Sequence, residues 1–202
     1  MASEENKKNR IMELSFKKFS TMGLPHVTMD EIARGAGIGK GTLYKYFPSK
    51  EALLYDTVEY ISGRMERKIE EIMDDSQLSS MKKLSLILKT VGERLAKINP
   101  SAVAYLERAL PEAYEKMVEL RRRIILTNMI RLFEEGKLTG DFSKDMDCYL
   151  AAHILIGAAN HIMDEKILST LDYSLDNLFH AITSTILKGC LTEEGRKKAF
   201  DK

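Results

Sequence analysis

The chain has 202 residues, of which 44% are hydrophobic and 30% are charged, and this composition excludes a collagen-like, proline-rich or disordered protein. The net charge is only +1, but residues 1–50 carry nine basic against five acidic side chains and the remainder carries 22 against 25, so the N-terminal end favours a polyanionic partner. With no apolar run near the ~18 residues of a membrane helix, no secretory signal, and only Cys148 and Cys190 as cysteines, we expect a cytoplasmic protein with buried thiols and no membrane contact.

Hydrophobic spacing is helical along nearly the whole chain, and no sustained alternation of apolar and polar residues predicts a strand. The predicted fold class is therefore all-α, with about nine helices and a charged tail at 192–202. The approximate helix ranges are 7–22, 28–37, 40–47, 49–73, 84–98, 101–110, 111–136, 143–168 and 174–190.

Local signals mark several of these helix ends. Gly23 predicts a left-handed cap after the first helix. Thr28 and Glu31 have the spacing of a capping box, in which each residue satisfies a backbone amide of the other. Ser49, which follows Pro48, predicts the N-cap of the long fourth helix.

Residues 28–47 have the spacing of a helix-turn-helix motif. Two short helices that cross steeply need a small side chain at their closest approach, which Ala33 supplies, and a positive φ four residues later, which Gly37 tolerates. The inward positions of the motif are apolar: they are Ile32, Ala36, Ile38, Leu43 and Tyr46. The pattern therefore predicts a DNA-binding corner rather than an ordinary helical hairpin.

In such a motif the second helix enters the major groove and presents its N-terminal, exposed residues to base edges. Lys40 can donate to guanine, Thr42 suits thymine, and Gly41 permits close approach of the backbone. Phosphate contacts are predicted for side chains around the helix and for the helix N-terminus at Thr28. The complete predicted DNA-binding set is Thr28, Lys40, Gly41, Thr42, Tyr44, Lys45, Tyr46 and Lys50.

Residues from about 7 to 60 resemble the DNA-binding domain of the TetR/AcrR family of bacterial transcriptional regulators. The resemblance is carried by Ile11, Phe19, Gly23, Thr28, the stretches 30–33 and 36–38, Leu53 and Leu54, and above all by the string Lys-Gly-Thr-Leu-Tyr-Lys-Tyr-Phe-Pro-Ser-Lys-Glu at 40–51. Pro48 departs from the charged residue found in many relatives. Beyond the first quarter, the chain is similar to the family only in length and helical layout.

The resemblance implies a DNA-binding domain over 1–50 and a helical ligand-binding and dimerisation domain over 51–202. It also implies an obligate homodimer, a palindromic double-stranded DNA operator, and a small-molecule effector of unknown identity whose binding is transmitted by the helix at 49–73. No cofactor is expected.

The helix predicted at 143–168 is apolar almost all round, so it needs cover on two sides. One side can pack in its own core, and the other favours a partner. Together with the helix at 174–190 it predicts a four-helix contact with a second copy. The predicted interface residues are Ala151, Leu155, Ala158, Leu175, Phe179, Ile182 and Ile186.

Polar groups within apolar stripes are the candidates for an effector site, with Met and Phe as adaptable walls. These candidates are Tyr105, Arg108, Asn128, Met129, Phe133, His153, Asn160 and His161. The sequence offers no catalytic constellation: the glycine-rich stretch 35–42 lacks the residues of a phosphate loop, and the histidines lack metal-ligand clustering. We therefore expect a non-enzymatic repressor released by a ligand, with an activator or a DNA-bound scaffold that recruits a partner protein as the alternatives.

Overall fold

The computed structural model describes residues 2–98, 100–161 and 173–200. These residues form ten α-helices and no β-strand, in agreement with the predicted all-α class. The helices are α1 (Ala2–Met22), α2 (Met29–Ala36), α3 (Lys40–Tyr46), α4 (Lys50–Asp74), α5 (Ser80–Leu95), α6 (Pro100–Ala109), α7 (Pro111–Leu138), α8 (Cys148–His161), α9 (Leu175–Cys190) and α10 (Glu193–Phe200), with a 3₁₀ turn at Leu24–His26.

Several boundaries differ from the prediction, each for a local reason. α1 begins five residues early because the polar stretch at its start has no residue that ends a helix. α5 begins at Ser80, where the hydroxyl of Ser79 accepts the amide hydrogen of Lys82, and it ends before the predicted Ile98. α8 begins at Cys148 rather than 143 because the carboxylate of Asp147 accepts the Leu150 amide hydrogen. The predicted C-terminal end of this helix, up to 168, lies outside the described residues.

The charged tail is helical, which the sequence analysis missed. Its segment 193–200 forms α10, so the described helices exceed the predicted nine by one. A side chain of this helix, Lys198, pairs with Asp141, and the hydroxyl of Thr192 accepts the Gly195 amide hydrogen at 3.0 Å. The Lys198–Asp141 pair supplies tertiary stabilisation that a short polar helix lacks on its own, and Thr192 caps the N-terminus of the helix.

The chain forms two compact units. Of the described residues, the first unit contains those within 1–65 and 97–119, and the second contains those within 66–96 and 120–202. α4 and α7 each contribute one part to each unit. The predicted functional division between residues 50 and 51 stays a prediction; in the packing, Leu53, Leu54 and Leu106 share one buried cluster with the helix-turn-helix core.

A buried carboxylate organises the second unit. The side chain of Asp141 is 3% exposed and accepts hydrogen bonds from Ser80 and Thr139, both at 2.8 Å, and from Lys198 at 2.7 Å. Next to it, Phe142 is fully buried and packs edge-on against Phe133 at 5.0 Å between ring centroids. The loop after α7 is thereby fixed to the start of α5 and to α10.

Both cysteines are free, Cys148 buried and Cys190 half-buried. Burial, with a contribution from Glu134, raises the pKa of Cys148 to about 11, and burial also raises the pKa of Cys190. The buried-thiol prediction is confirmed for Cys148 and holds in part for Cys190. Within the three described stretches, no helix combines the length and apolar character needed to cross a membrane.

Candidate nucleic-acid interface

α2 and α3 form the corner that the sequence predicts. The backbone amide of Thr28 donates to the Glu31 carboxylate at 2.9 Å, and the amide of Glu31 donates to the Thr28 hydroxyl at 3.2 Å, which completes the capping box. The pKa of Glu31 is lowered first by the hydrogen bond from the Thr28 backbone amide to its carboxylate and then by the Thr28 hydroxyl, which donates to the same carboxylate. Gly37 ends α2 at φ 67° and ψ 33°, a left-handed conformation that favours glycine.

Apolar side chains hold the corner from inside. Ile32 and Leu43 are fully buried and Ala33 is buried, whereas Ala36, Ile38 and Tyr46 pack half-buried against the same cluster. Because one side of α3 is fixed in this way, the opposite side is directed to solvent. The helix-turn-helix geometry expected from the spacing is therefore confirmed.

The outer face of α3 carries the predicted base-reading residues. Gly41, Thr42 and Lys45 are exposed, and Tyr44 is 40% exposed. A Cβ atom built at Gly41 meets no other atom within 4 Å. The protein's own packing therefore does not require glycine there, and the space it leaves lies on the solvent side of the helix.

Lys40 begins this face but is not an isolated cation. Its Nζ lies 2.7 Å from Oδ1 of Asp30 and 6.0 Å from the centroid of the Tyr44 ring. The hydrogen bond to Asp30 is the first cause that raises the pKa of Lys40, followed by the charge of the same carboxylate. The first residue of α3 is thus connected to the first turn of α2.

Three other predicted DNA contacts, Thr28, Lys50 and Tyr46, have neighbours within the protein that restrict their side chains. The Thr28 hydroxyl also donates to Glu31 at 3.0 Å, so it has partners within the capping box. The ammonium of Lys50 donates to the Leu24 carbonyl, which ties the start of α4 to the 3₁₀ turn. Tyr46 is half-buried, and its ring lies 5.8 Å from the ammonium of Lys8.

Two charged residues of this region were missed by the sequence analysis, namely Asp30 and Lys8. The only signal for Asp30 in the sequence is its charge: it is an acid in the first turn of α2, and in the structure its carboxylate meets the base in the first turn of α3. Lys8 lies on the predicted first helix, and its proximity to Tyr46 depends on how α1 packs, which residue spacing does not give.

The candidate effector residues fall into both compact units. Tyr105 and Arg108 belong to the first, where Tyr105 packs on the helix-turn-helix cluster and Arg108 donates to the Ala104 carbonyl. The other six belong to the second unit: Asn128 and Met129 are buried, Phe133 is fully buried, His153 and Asn160 are half-buried, and His161 is exposed. The Asn128 amide donates to the Ile124 carbonyl and His153 bonds the Tyr149 carbonyl, so both have local structural partners.

The candidate dimer residues are mostly packed inside the second unit. Ala151, Leu155, Leu175 and Phe179 are each less than 9% exposed in the single chain, while Ala158, Ile182 and Ile186 are half-buried. The residues that α8 turns outward are instead Tyr149, Leu150 and Ile154, which are 62%, 56% and 49% exposed. The predicted interface residues stay a prediction, and the exposed side of α8 could not be chosen from the sequence because an all-round apolar helix has no single apolar stripe.

Comparison with known proteins places the corner in a family. Residues 11–56 match the family model for bacterial regulatory proteins of the tetR family. The uncharacterized HTH-type transcriptional regulator YerO of Bacillus subtilis (strain 168) is 42% identical over 69 residues, which cover 34% of this chain and only about a quarter (24%) of YerO.

Two further comparisons extend over the whole chain. The fatty acid metabolism regulator protein of Bacillus subtilis (strain 168) is 22% identical over 195 residues, which cover 94% of this chain and 98% of that protein. The crystal structure of the transcriptional regulator FadR from Bacillus subtilis in complex with stearoyl-CoA has the same fold, with a TM-score of 0.59 at 19% identity, over 89% of this chain and 97% of that one. With its helix-turn-helix corner, the segment 11–56 therefore forms a domain of the tetR family type of bacterial regulatory proteins, and the chain as a whole has the all-helical fold of the FadR structure.

Proposed function

We propose that the protein is a homodimeric repressor that binds a palindromic double-stranded operator in the cytoplasm and is released by a small molecule bound in its C-terminal part. The observation that carries this proposal is the outer face of α3. It presents Thr42, Tyr44 and Lys45 to solvent around a glycine that no internal contact requires. Such a face fits a major groove, and two copies about one helical turn of DNA apart fit a palindrome.

The second unit supports the dimer through the outward side of α8. Tyr149, Leu150 and Ile154 form an exposed apolar patch, and Gly157 beside them permits close approach of another helix. A patch of this kind on a single chain favours a partner that covers it. A second copy would form an isologous contact of α8 and α9 with their symmetry mates.

A fatty acyl-CoA is the effector class that we propose to test first. The fatty acid metabolism regulator protein matches this chain over nearly its full length, and the FadR crystal structure contains stearoyl-CoA. In a dimer, a ligand that prefers a spacing unsuited to DNA lowers operator affinity by its differential affinity for the two states, typically ~1–3 kcal/mol.

Two substitutions test the operator-reading role. Thr42→Ala is expected to reduce the preference for a selected duplex over a scrambled one by about five- to tenfold or more, because base contacts carry about 1–3 kcal/mol of discrimination. Lys50→Ala is expected to weaken both duplexes alike and to flatten the salt dependence by about one unit. Fluorescence anisotropy titrations at several salt concentrations measure both quantities. Equal losses on the two duplexes for Thr42→Ala contradict its base-reading role.

The ligand is tested by thermal unfolding and DNA release. Stearoyl-CoA is expected to raise the unfolding temperature and to release the selected duplex, whereas free CoA does neither, because a ligand that binds only the folded state stabilises it. If neither stearoyl-CoA nor a broad metabolite panel shifts unfolding, and a protein partner is instead captured on DNA, the scaffold alternative replaces the ligand-released repressor.

A further inference from the structure

The DNA-facing surface contains an acidic residue beside its first basic one. Asp30 lies in the first turn of α2 and Lys40 in the first turn of α3, with 2.7 Å between carboxylate oxygen and ammonium nitrogen. Their side chains are 54% and 59% exposed, so the pair faces solvent. A carboxylate on a surface that approaches phosphates opposes binding, so its presence there indicates a specific role.

The chemistry of the pair suggests that task. A lysine ammonium has three N–H donors and a flexible stem, and by itself it pairs with any phosphate within reach. The carboxylate of Asp30 takes one donor and compensates the charge, while two donors remain for neutral acceptors such as O6 and N7 of guanine.

We propose that Asp30 is a positioning and specificity-determining residue, which holds the Lys40 ammonium for base edges and suppresses its attraction to backbone phosphates. This inference rests on the proposed operator binding. Lys50 provides the contrast within the same unit: its ammonium donates to the carbonyl of Leu24, a neutral acceptor, so its positive charge is not compensated by that contact. Lys50 then serves general affinity, whereas the Asp30–Lys40 pair serves discrimination.

The test uses Asp30→Asn in the full-length protein, a duplex that the wild-type protein selects from a randomised pool, and a scrambled duplex of equal length and composition. Freeing Lys40 from Asp30 is expected to increase affinity for scrambled DNA and to make the slope of log affinity against log salt concentration steeper by about 0.9. This change in slope corresponds to a three- to fourfold larger loss of affinity between about 50 and about 200 mM salt. The ratio of selected to scrambled affinity is expected to fall severalfold.

Two controls separate pairing from net charge. Glu70→Gln makes the same charge change at an exposed position of α4 in the second unit. It is expected to leave both the slope of the salt dependence and the ratio of selected to scrambled affinity unchanged. In a Lys40→Met background, Asp30→Asn is expected to leave the ratio unchanged, since the coupling needs both partners. Asp30→Ser serves as a second variant, and thermal unfolding verifies that each protein is folded at the assay temperature.

The outcomes are distinct. If Asp30→Asn shifts the salt dependence no more than Glu70→Gln, or lowers the ratio by the same factor with and without Lys40, the positioning role is overturned. If the wild-type protein selects no duplex at all, the proposed operator binding fails instead. In that case the salt dependence on scrambled DNA still decides whether Asp30 compensates Lys40.

Discussion

On the outer face of α3, polar side chains and a glycine face solvent, whereas around Asp141 polar groups and a glycine pack against other protein atoms. Around Asp141, in the second unit, three side chains converge on one buried carboxylate. Nearby, a Cβ at Gly136 would lie 2.3 Å from the Phe142 ring, while a Cβ at Gly41 on α3 meets nothing within 4 Å. Both glycines are helical with ordinary negative φ, so their difference lies in the neighbouring atoms.

This contrast separates residues that serve the fold from residues that serve a partner. Where internal contacts explain a residue, substitution is expected to change stability. Where they leave it unexplained on a face that a nucleic acid can reach, substitution is expected to change binding. Substitutions at residues of the two kinds therefore test this distinction.

Asp141→Ala is expected to cause the largest loss, about 3 kcal/mol of unfolding free energy, because it leaves Ser80, Thr139 and Lys198 without their shared acceptor. Chemical denaturation monitored by circular dichroism measures the loss. Asp145→Ala, at an exposed acid of the same loop, is the matched control and is expected to change stability by less than about 0.5 kcal/mol. Similar losses in both variants contradict the assigned role of Asp141.

The same carboxylate predicts a pH dependence. Burial by itself raises the pKa of Asp141, but hydrogen bonds from Lys198, Thr139 and Ser80 outweigh it and hold the pKa below its ordinary value of 3.8. The contribution of Asp141 to the free energy of unfolding is therefore complete above the pKa of the unfolded state, and it is lost as pH falls through the lower pKa of the folded state. The difference in stability between wild type and Asp141→Ala is expected to stay constant from neutral pH to about 5 and to narrow only near and below 3.8.

Gly136→Ala is expected to cost about 1–2 kcal/mol, since the new methyl overlaps the buried Phe142 ring and a gain in helix propensity offsets only part of that strain. Gly189→Ala, in α9 of the same unit, adds a Cβ that meets nothing within 4 Å and is expected to be neutral or stabilising. Urea unfolding of the two variants compares them directly. A loss in Gly189→Ala as large as in Gly136→Ala shows that the strain does not arise at Phe142.

The sequence predicts the helix-turn-helix well because its requirements are local. The Thr28–Glu31 box, the turn at Gly37 and the buried Ile32 and Leu43 each follow from spacing of a few residues. Residue spacing does not predict the Asp30–Lys40 pair, because the pair depends on the position of α2 relative to α3.

Long-range packing accounts for what the sequence did not predict in the second unit. Asp141 contacts residues about sixty positions away in both directions along the chain, namely Ser80 and Lys198. Hydrophobic periodicity in the sequence does not predict such contacts. The outward side of α8 depends in the same way on which neighbours cover Ala151 and Leu155. Hydrophobic composition indicates that this helix needs cover on more than one side, but it does not say which neighbour covers which side.

Gly41→Ala has the smallest expected effect on stability and the sharpest meaning for function. The added methyl enters open space, so unfolding free energy is expected to stay the same or to rise by less than about 1 kcal/mol. Affinity for the selected duplex is expected to fall at the same time, because the methyl occupies room that close approach of the α3 backbone to the groove requires. Gly189→Ala separates the helix-propensity effect, since it makes the same chemical change without touching α3. If Gly41→Ala binds the selected duplex as tightly as wild type, the open space at residue 41 has no role in DNA approach, and the recognition assigned to α3 depends on its side chains alone.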